Sequence, residues 1–184
     1  VIGQTLSGSF SFTRKDAEDG VGSVIEISFH DVEIGLGDGE TDFISVTEGE
    51  GIFILDNAGL YGELSGTIGV NVPNVSFSGS FTTQINSTGL EQTIEPGITI
   101  PDGFSIQGTD ISLVVAGQEL SCDTLTIALR SGTTGIEFSL AITGLHLVIQ
   151  SGDTVFVDVR TDNATVIVDS LGVAASITGL TVTF

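Results

Sequence analysis

The chain has 184 residues, 24 of them acidic and 4 basic, which gives a formal net charge of −20 and a pI near 4.1. Such a surface repels nucleic-acid phosphates and anionic bilayers, so neither nucleic-acid binding nor membrane insertion is expected, while cations are natural partners. With hydrophobic residues at 40%, the chain can bury a core, which excludes a disordered acidic tail.

The apolar set is Val, Ile, Leu and Phe, with 0 Met, 0 Trp and 1 Tyr, and the polar set is rich in Ser, Thr and Asp beside 25 Gly. β-branched and aromatic side chains pack well on a pleated sheet and Gly permits tight corners, so the composition reads as all-β. In chain order, the patterning predicts strands near 5–13, 24–36, 41–47, 51–56, 60–72, 75–86, 104–115, 119–130, 135–150, 154–160, 163–169 and 172–184. Period-2 alternation is clear at Leu60, Gly62, Leu64, Gly66, Ile68 and Val70. Turn signals fall at Asp19-Gly20, Gly37-Asp38-Gly39, Glu48-Gly49, Asn57-Ala58-Gly59 and Ser151-Gly152-Asp153. Residues 88–103, with Pro96, Gly97 and Pro101, have the weakest pattern and read as a linker or long crossover. No stretch has sustained helical periodicity. Strands of about a dozen residues exceed the usual five or six. The expected architecture is an elongated antiparallel β-sandwich or a stacked-sheet repeat, with no significant helix.

The chain also resembles itself. Ile25-Glu26-Ile27-Ser28-Phe29 recurs as Ile136-Glu137-Phe138-Ser139-Leu140, and Asp42–Val46 aligns with Val155–Val159. Gly59, Leu64 and Gly66 match Gly172, Ile177 and Gly179, and Gly3-Gln4-Thr5-Leu6-Ser7 matches Gly117-Gln118-Glu119-Leu120-Ser121. In the first copy the inward alternation runs Ile25, Ile27, Phe29 and then shifts phase to Val32, Ile34, Leu36. In the second it runs Ile136, Phe138, Leu140, Ile142 and shifts to Leu145, Leu147, Ile149. A one-residue slip inside an alternating run is the mark of a β-bulge. The organisation read from this is a first β unit at 1–103, its linker near 88–103, followed at 104–184 by a shared strand and a partial second copy.

Chemistry has few places to sit. Leu36-Gly37-Asp38-Gly39-Glu40-Thr41-Asp42 sets carboxylates at alternate positions with Gly between them, part of an oxygen cage for calcium, and the second copy keeps one carboxylate there, Asp153. The candidate metal ligands are therefore Asp38, Glu40, Asp42 and Asp153, weighed against a solvated hairpin turn. Asp16, Glu18 and Asp19 form a second acidic loop that reads as solvated. The lone Cys122 has no intrachain disulfide partner and reads as a small buried hydrophobe. With only His30 and His146, a Cys/His zinc site is ruled out within the chain, and a Ser–His–Asp arrangement lacks any Gly-x-Ser-x-Gly elbow. Paired carboxylates occur by chance among 24 acids, so they do not point to a glycosidase. No segment reads as a signal peptide or membrane span. Three sequons, at Asn74, Asn86 and Asn163, are consistent with secretion.

The segments Gly3–Phe10, Leu36–Gly39, Gly59–Gly66 and Val75–Gly79 resemble tandem repeat units of very large bacterial secreted or surface proteins, giant RTX-type adhesins among them. The resemblance implies β-rich extender units, often stiffened by calcium, that space a terminal binding domain from the cell. Cys122, where the first copy has Gly8, and the weaker second acidic turn depart from the pattern. The expectation is a non-enzymatic structural module, extracellular or at the cell surface, whose partners are neighbouring copies of the same repeat. The alternative is a carbohydrate- or surface-binding β-sandwich, which would need exposed aromatic platforms that this chain, with only Tyr61 beyond its Phe residues, scarcely offers.

Overall fold

Apolar residues at every second position ask for an extended backbone with one side in water, and the computed structural model answers with strand almost everywhere. It describes residues 3–16, 22–37, 42–94, 97–132 and 135–184. About 85% of it is strand and none of it is helix. The strands are β1 (Gly3–Asp16), β2 (Ser23–Gly37), β3 (Asp42–Leu55), β4 (Leu60–Val72), β5 (Val75–Asn86), β6 (Gln92–Ile94), β7 (Ile98–Ile100), β8 (Gly103–Val115), β9 (Gln118–Gly132), β10 (Gly135–Ser151), β11 (Thr154–Asp169), β12 (Gly172–Thr178) and β13 (Thr181–Thr183).

Eleven strands form one antiparallel meander in the order β1-β2-β3-β4-β5-β8-β9-β10-β11-β12, with β13 continuing the edge along β11, and the sheet is not closed into a barrel. The second sheet is only the hairpin β6-β7. The expected all-β, antiparallel, long-stranded and helix-free character is what the chain adopts.

The segments that match each other in sequence fall on β1–β4 and on β9–β12, in the same spatial order. An aspartate caps the matching turn in each set in the same way. Asp56 Oδ1 accepts the amides of Ala58 and Gly59 at 2.8 and 3.1 Å, and Asp169 Oδ1 accepts those of Leu171 and Gly172 at 2.8 and 3.1 Å. Gly59 and Gly172 both sit at positive φ, 148° and 142°, to close the turn.

Three expected boundaries are corrected, the first two for one reason. The runs 41–47 and 51–56 are a single strand, β3, and Glu48-Gly49, read as a turn, is a bulge inside it where the register with β4 jumps between Thr47 and Glu50. The runs 154–160 and 163–169 are likewise the single strand β11. In contrast, 172–184 divides into β12 and β13 at Gly179. A phase slip looks like a strand end in sequence, yet the hydrogen-bonded ladder runs through it.

These slips line up as a transverse crease across the sheet. Positive φ occurs at Gly8 in β1, Asp31 in β2, Glu48 in β3, Asp110 in β8, Gly144 in β10 and Gly179 between β12 and β13. Asp31 and Gly144 are the phase-slip positions anticipated from the two copies; the register jumps beside Asp31 but runs unbroken past Gly144, where β9, β10 and β11 slip together. Glutamate tolerates the left-handed region less well than Asp, Asn or Gly. Glu48→Gly relieves about 1–2 kcal/mol of that strain, while the freer unfolded chain takes back about 0.5–1 kcal/mol. A net gain of about 0.5–1 kcal/mol in urea unfolding is expected.

Region 88–103, read as a linker or crossover, is the long connection from β5 to β8, and it carries the β6-β7 hairpin. Ile94 and Ile100, 2% and 0% exposed, pack there with Tyr61, Ile52 and Ile54. This explains the run Ile52-Phe53-Ile54-Leu55, which is apolar on both faces: the hairpin covers one side of it.

Candidate functional site: a two-faced sheet

The cross-strand register assigns every strand residue to one of two faces. One transverse row reads Phe29, Gly51, Leu64, Thr83, Ile106, Ile127, Leu140 and Val166. A neighbouring row on the opposite face reads Thr47, Thr67, Ser80, Thr109, Thr124, Thr143, Asn163 and Thr178. Hydroxyls of this second row bond one another, Thr124 to Thr143 at 2.7 Å and Thr67 to Ser80 at 3.3 Å. The chain is an amphipathic sheet: aliphatic and aromatic on one face, hydroxylated and acidic on the other.

Charge follows the same division. Among the described strand residues, Arg14 and Asp16 at one corner are the charged residues that alternate onto the apolar face. The rest lie on the polar face or in the crease, as the pairs Lys15–Glu26 and Arg130 beside Glu137 illustrate. The apolar face is flattened by glycine. Gly51, Gly62 and Gly108 leave the space into which the rings of Phe29, Phe53 and Phe81 settle. Phe10, Phe29 and Phe53 then form a diagonal of tilted rings at 6.3 and 5.8 Å.

Of the metal candidates, Asp38 and Glu40 lie outside the described residues, as do Glu18 and Asp19. Asp42 opens β3 with its carboxylate over Gly35 beside Thr5, and Asp153 sits in the β10–β11 turn. Asp42 and Asp153 lie at the same end of the sheet. Six strand spacings separate them, about 29 Å at 4.8 Å each, so the two carboxylates are not brought together. Among the described residues no three of His, Cys, Asp or Glu stand close enough to hold a metal ion.

The polar face has a shallow dip open to solvent, lined mostly by the hydroxyls of Ser65, Thr67, Ser80, Thr82 and Thr109, with Glu48, Gln107 and Phe81 beside them. Tyr61, the one tyrosine on which a sugar could stack, is 9% exposed beneath the β6-β7 hairpin.

A charged cluster that sequence reading missed joins β10 and β11. Arg160 donates from Nε and Nη2 to the two oxygens of Asp158 at 2.9 and 3.0 Å, and His146 Nε2 stands 3.2 Å from Oδ1. That Nε2 is buried, and its approach to the carboxylate misses hydrogen-bond geometry. Ser121 is the neighbour of His146 on β9, which puts Ser, His and Asp on successive strands. The serine hydroxyl makes no hydrogen bond to the imidazole among the described residues, and Arg160 occupies the carboxylate, so the set is not a charge-relay nucleophile. Alternation along β11 sets Asp158 and Arg160 on one face, and the register with β10 brings His146 to them.

The Arg160 hydrogen bonds, aided by His146 and opposed by partial loss of water, hold the Asp158 carboxyl below its usual range. A depressed carboxylate stabilises the fold above the ordinary carboxylate pKa, and that contribution disappears as pH falls through the lowered folded value. Asp158→Asn is expected to lower stability slightly at neutral pH and to flatten the acid limb by the same small amount, small because the group is solvent-screened. Urea midpoints measured from neutral to strongly acid pH would show it. Cys122 behaves oppositely: burial, then the adjacent Asp123 carboxylate, push its thiol up, leaving it protonated and slow to react.

The chain matches no family model, no curated protein and no solved structure.

Proposed function

We propose that the chain is a non-enzymatic structural module of a repetitive extracellular or cell-surface protein, in which neighbouring copies continue the sheet edge to edge. The observation that supports this most is the placement of β1–β4 and β9–β12: two matching sets of strands, with matching Asp-capped turns, laid side by side in one hydrogen-bonded ladder. A third set would repeat the same step. Both edges, β1 and β12 with β13, carry unpaired backbone groups that the next copy would satisfy. The acidic polar face keeps such an array soluble, and cations would screen it.

Appending a copy of residues 72–115 after Phe184 tests the reading, because it supplies the strands that follow β4 in the first copy. A single melting transition at higher temperature is expected, with a longest dimension by X-ray scattering that grows about 4.8 Å per added strand. A separate, lower transition for the added strands would sink the proposal. Calcium stiffening is read from the same chain. A calcium-specific rise in stability, about 2.7 kcal/mol at a hundredfold excess over Kd, is expected if the 36–42 turn coordinates the ion. Equal small shifts in magnesium and calcium would reduce the effect to screening.

A further inference from the structure

We propose that the apolar face is the docking surface for a second copy of the same sheet, so that the working unit is a two-layer sandwich assembled face to face. This goes beyond the edge-to-edge array and does not depend on it.

Extent is the first ground. A face ten strands wide and about a dozen residues tall spans about 1,900 Å² at strand and residue spacings of about 4.8 and 3.4 Å. The largest apolar patch on an ordinary monomer is about 300–600 Å². If strand twist lets only half of each face meet, the pair still buries about 1,900 Å² in total, the size of a stable specific interface.

Charge is the second ground. A chain of net charge −20 should avoid its own kind, yet almost all its strand carboxylates lie on the other face or in the crease. Two copies meeting through this face turn their acids outward, away from each other. An anionic bilayer would meet the same chain with repulsion, and two open edges cannot lie in hydrocarbon with their backbone groups unpaired.

The third ground is shape and precedent within the chain itself. Gly51, Gly62 and Gly108 seat the rings of Phe29, Phe53 and Phe81, giving a low relief that a matching sheet could meet at the usual spacing of about 10 Å. Where the polar face turns apolar, at Ile52, Ile54 and Tyr61, the chain supplies a cover in β6-β7. No described segment covers the other face, where Leu64 and Leu129 remain 40% exposed.

The test is sedimentation equilibrium of the full chain across micromolar concentrations. Wild type is expected to be dimeric, and Leu64→Glu with Leu129→Glu is expected to weaken association about a hundredfold or more by burying unpaired charge. Thr82→Glu on the polar face should leave the dimer intact. A readout that needs no variant is the alkylation rate of Cys122, which alternates onto the apolar face beside Ile111. It should fall as protein concentration rises through the dimer range. A chain monomeric throughout, a concentration-independent Cys122 rate, or a monomer carrying co-purified lipid in native mass spectra would overturn the proposal.

Discussion

Asn86→Ala is expected to destabilise the chain by about 3 kcal/mol. Asn86 is 2% exposed and uses its whole amide. Its Nδ2 donates to the carbonyls of Leu90 and Ile100 at 2.8 and 2.9 Å, and its Oδ1 accepts the Thr88 amide and hydroxyl at 3.0 and 2.8 Å. These bonds tie β5, the loop after it and β7 together, so the side chain pins the hairpin that covers Tyr61. Alanine removes all four bonds, strips the buried Ile100 carbonyl of its side-chain donor at about 1–3 kcal/mol, and loosens the Ile94–Ile100 packing besides. Urea unfolding measures the loss. Proteolysis at 87–102 should accelerate alongside it, because the hairpin opens first. A loss under about 0.5 kcal/mol would mean that the hairpin is held by its isoleucines alone. The same bonding closes the Asn86-Ser87-Thr88 sequon in the folded state, since its nitrogen is buried with both hydrogens engaged, whereas Asn74 and Asn163 are exposed.

Much of this architecture is legible in the residues. Ile25, Ile27 and Phe29 followed by Val32, Ile34 and Leu36 place both the strand and its bulge, because side-chain direction has period 2 and only an inserted residue can change its phase. Glu48-Gly49 shows where such reading stops. A Gly after an acid is as good a turn signal as a bulge signal, and the two differ only in whether the partner strand continues alongside, which is a long-range fact. The hairpin at 92–100 was illegible for a related reason. Strands of three residues have too few alternations to register, and the burial of Ile94 and Ile100 depends on their landing over Ile52 and Ile54 from far along the chain. In the His146–Asp158–Arg160 cluster, spacing along β11 pairs Asp158 with Arg160, and only the register adds His146. Composition foresaw the acidity of the surface, but not that the acids would be sorted almost entirely to one face.

Gly144→Val is the sharpest test of the crease, with an expected loss of about 3–4 kcal/mol by urea unfolding. Two costs combine. Gly144 sits at φ 60°, where a β-branched residue is strained by about 2 kcal/mol. A Cβ there would also run into the carboxylate of Asp123 on β9, which lies across the glycine. Gly179 and Asp162 repeat this arrangement two strands on, so carboxylate over glycine is the recurring device that lets neighbouring strands slip phase together without losing register. The two costs separate in a double-mutant cycle with alanine. Gly144→Ala alone carries both, while Gly144→Ala with Asp123→Ala keeps the backbone strain and drops the collision. A coupling of about 1–2 kcal/mol is expected between the two sites, with no such coupling between Gly144→Ala and Asp153→Ala in the distant turn. Additive losses at 123 and 144 would show that the carboxylate moves aside freely and that backbone conformation alone makes the crease. The coupled result would make Asp123 a positioning residue for the phase slip. The apolar side chains on either side of it, Leu140 and Ile142 before and Leu145 and Leu147 after, are returned by that slip to one face of the sheet.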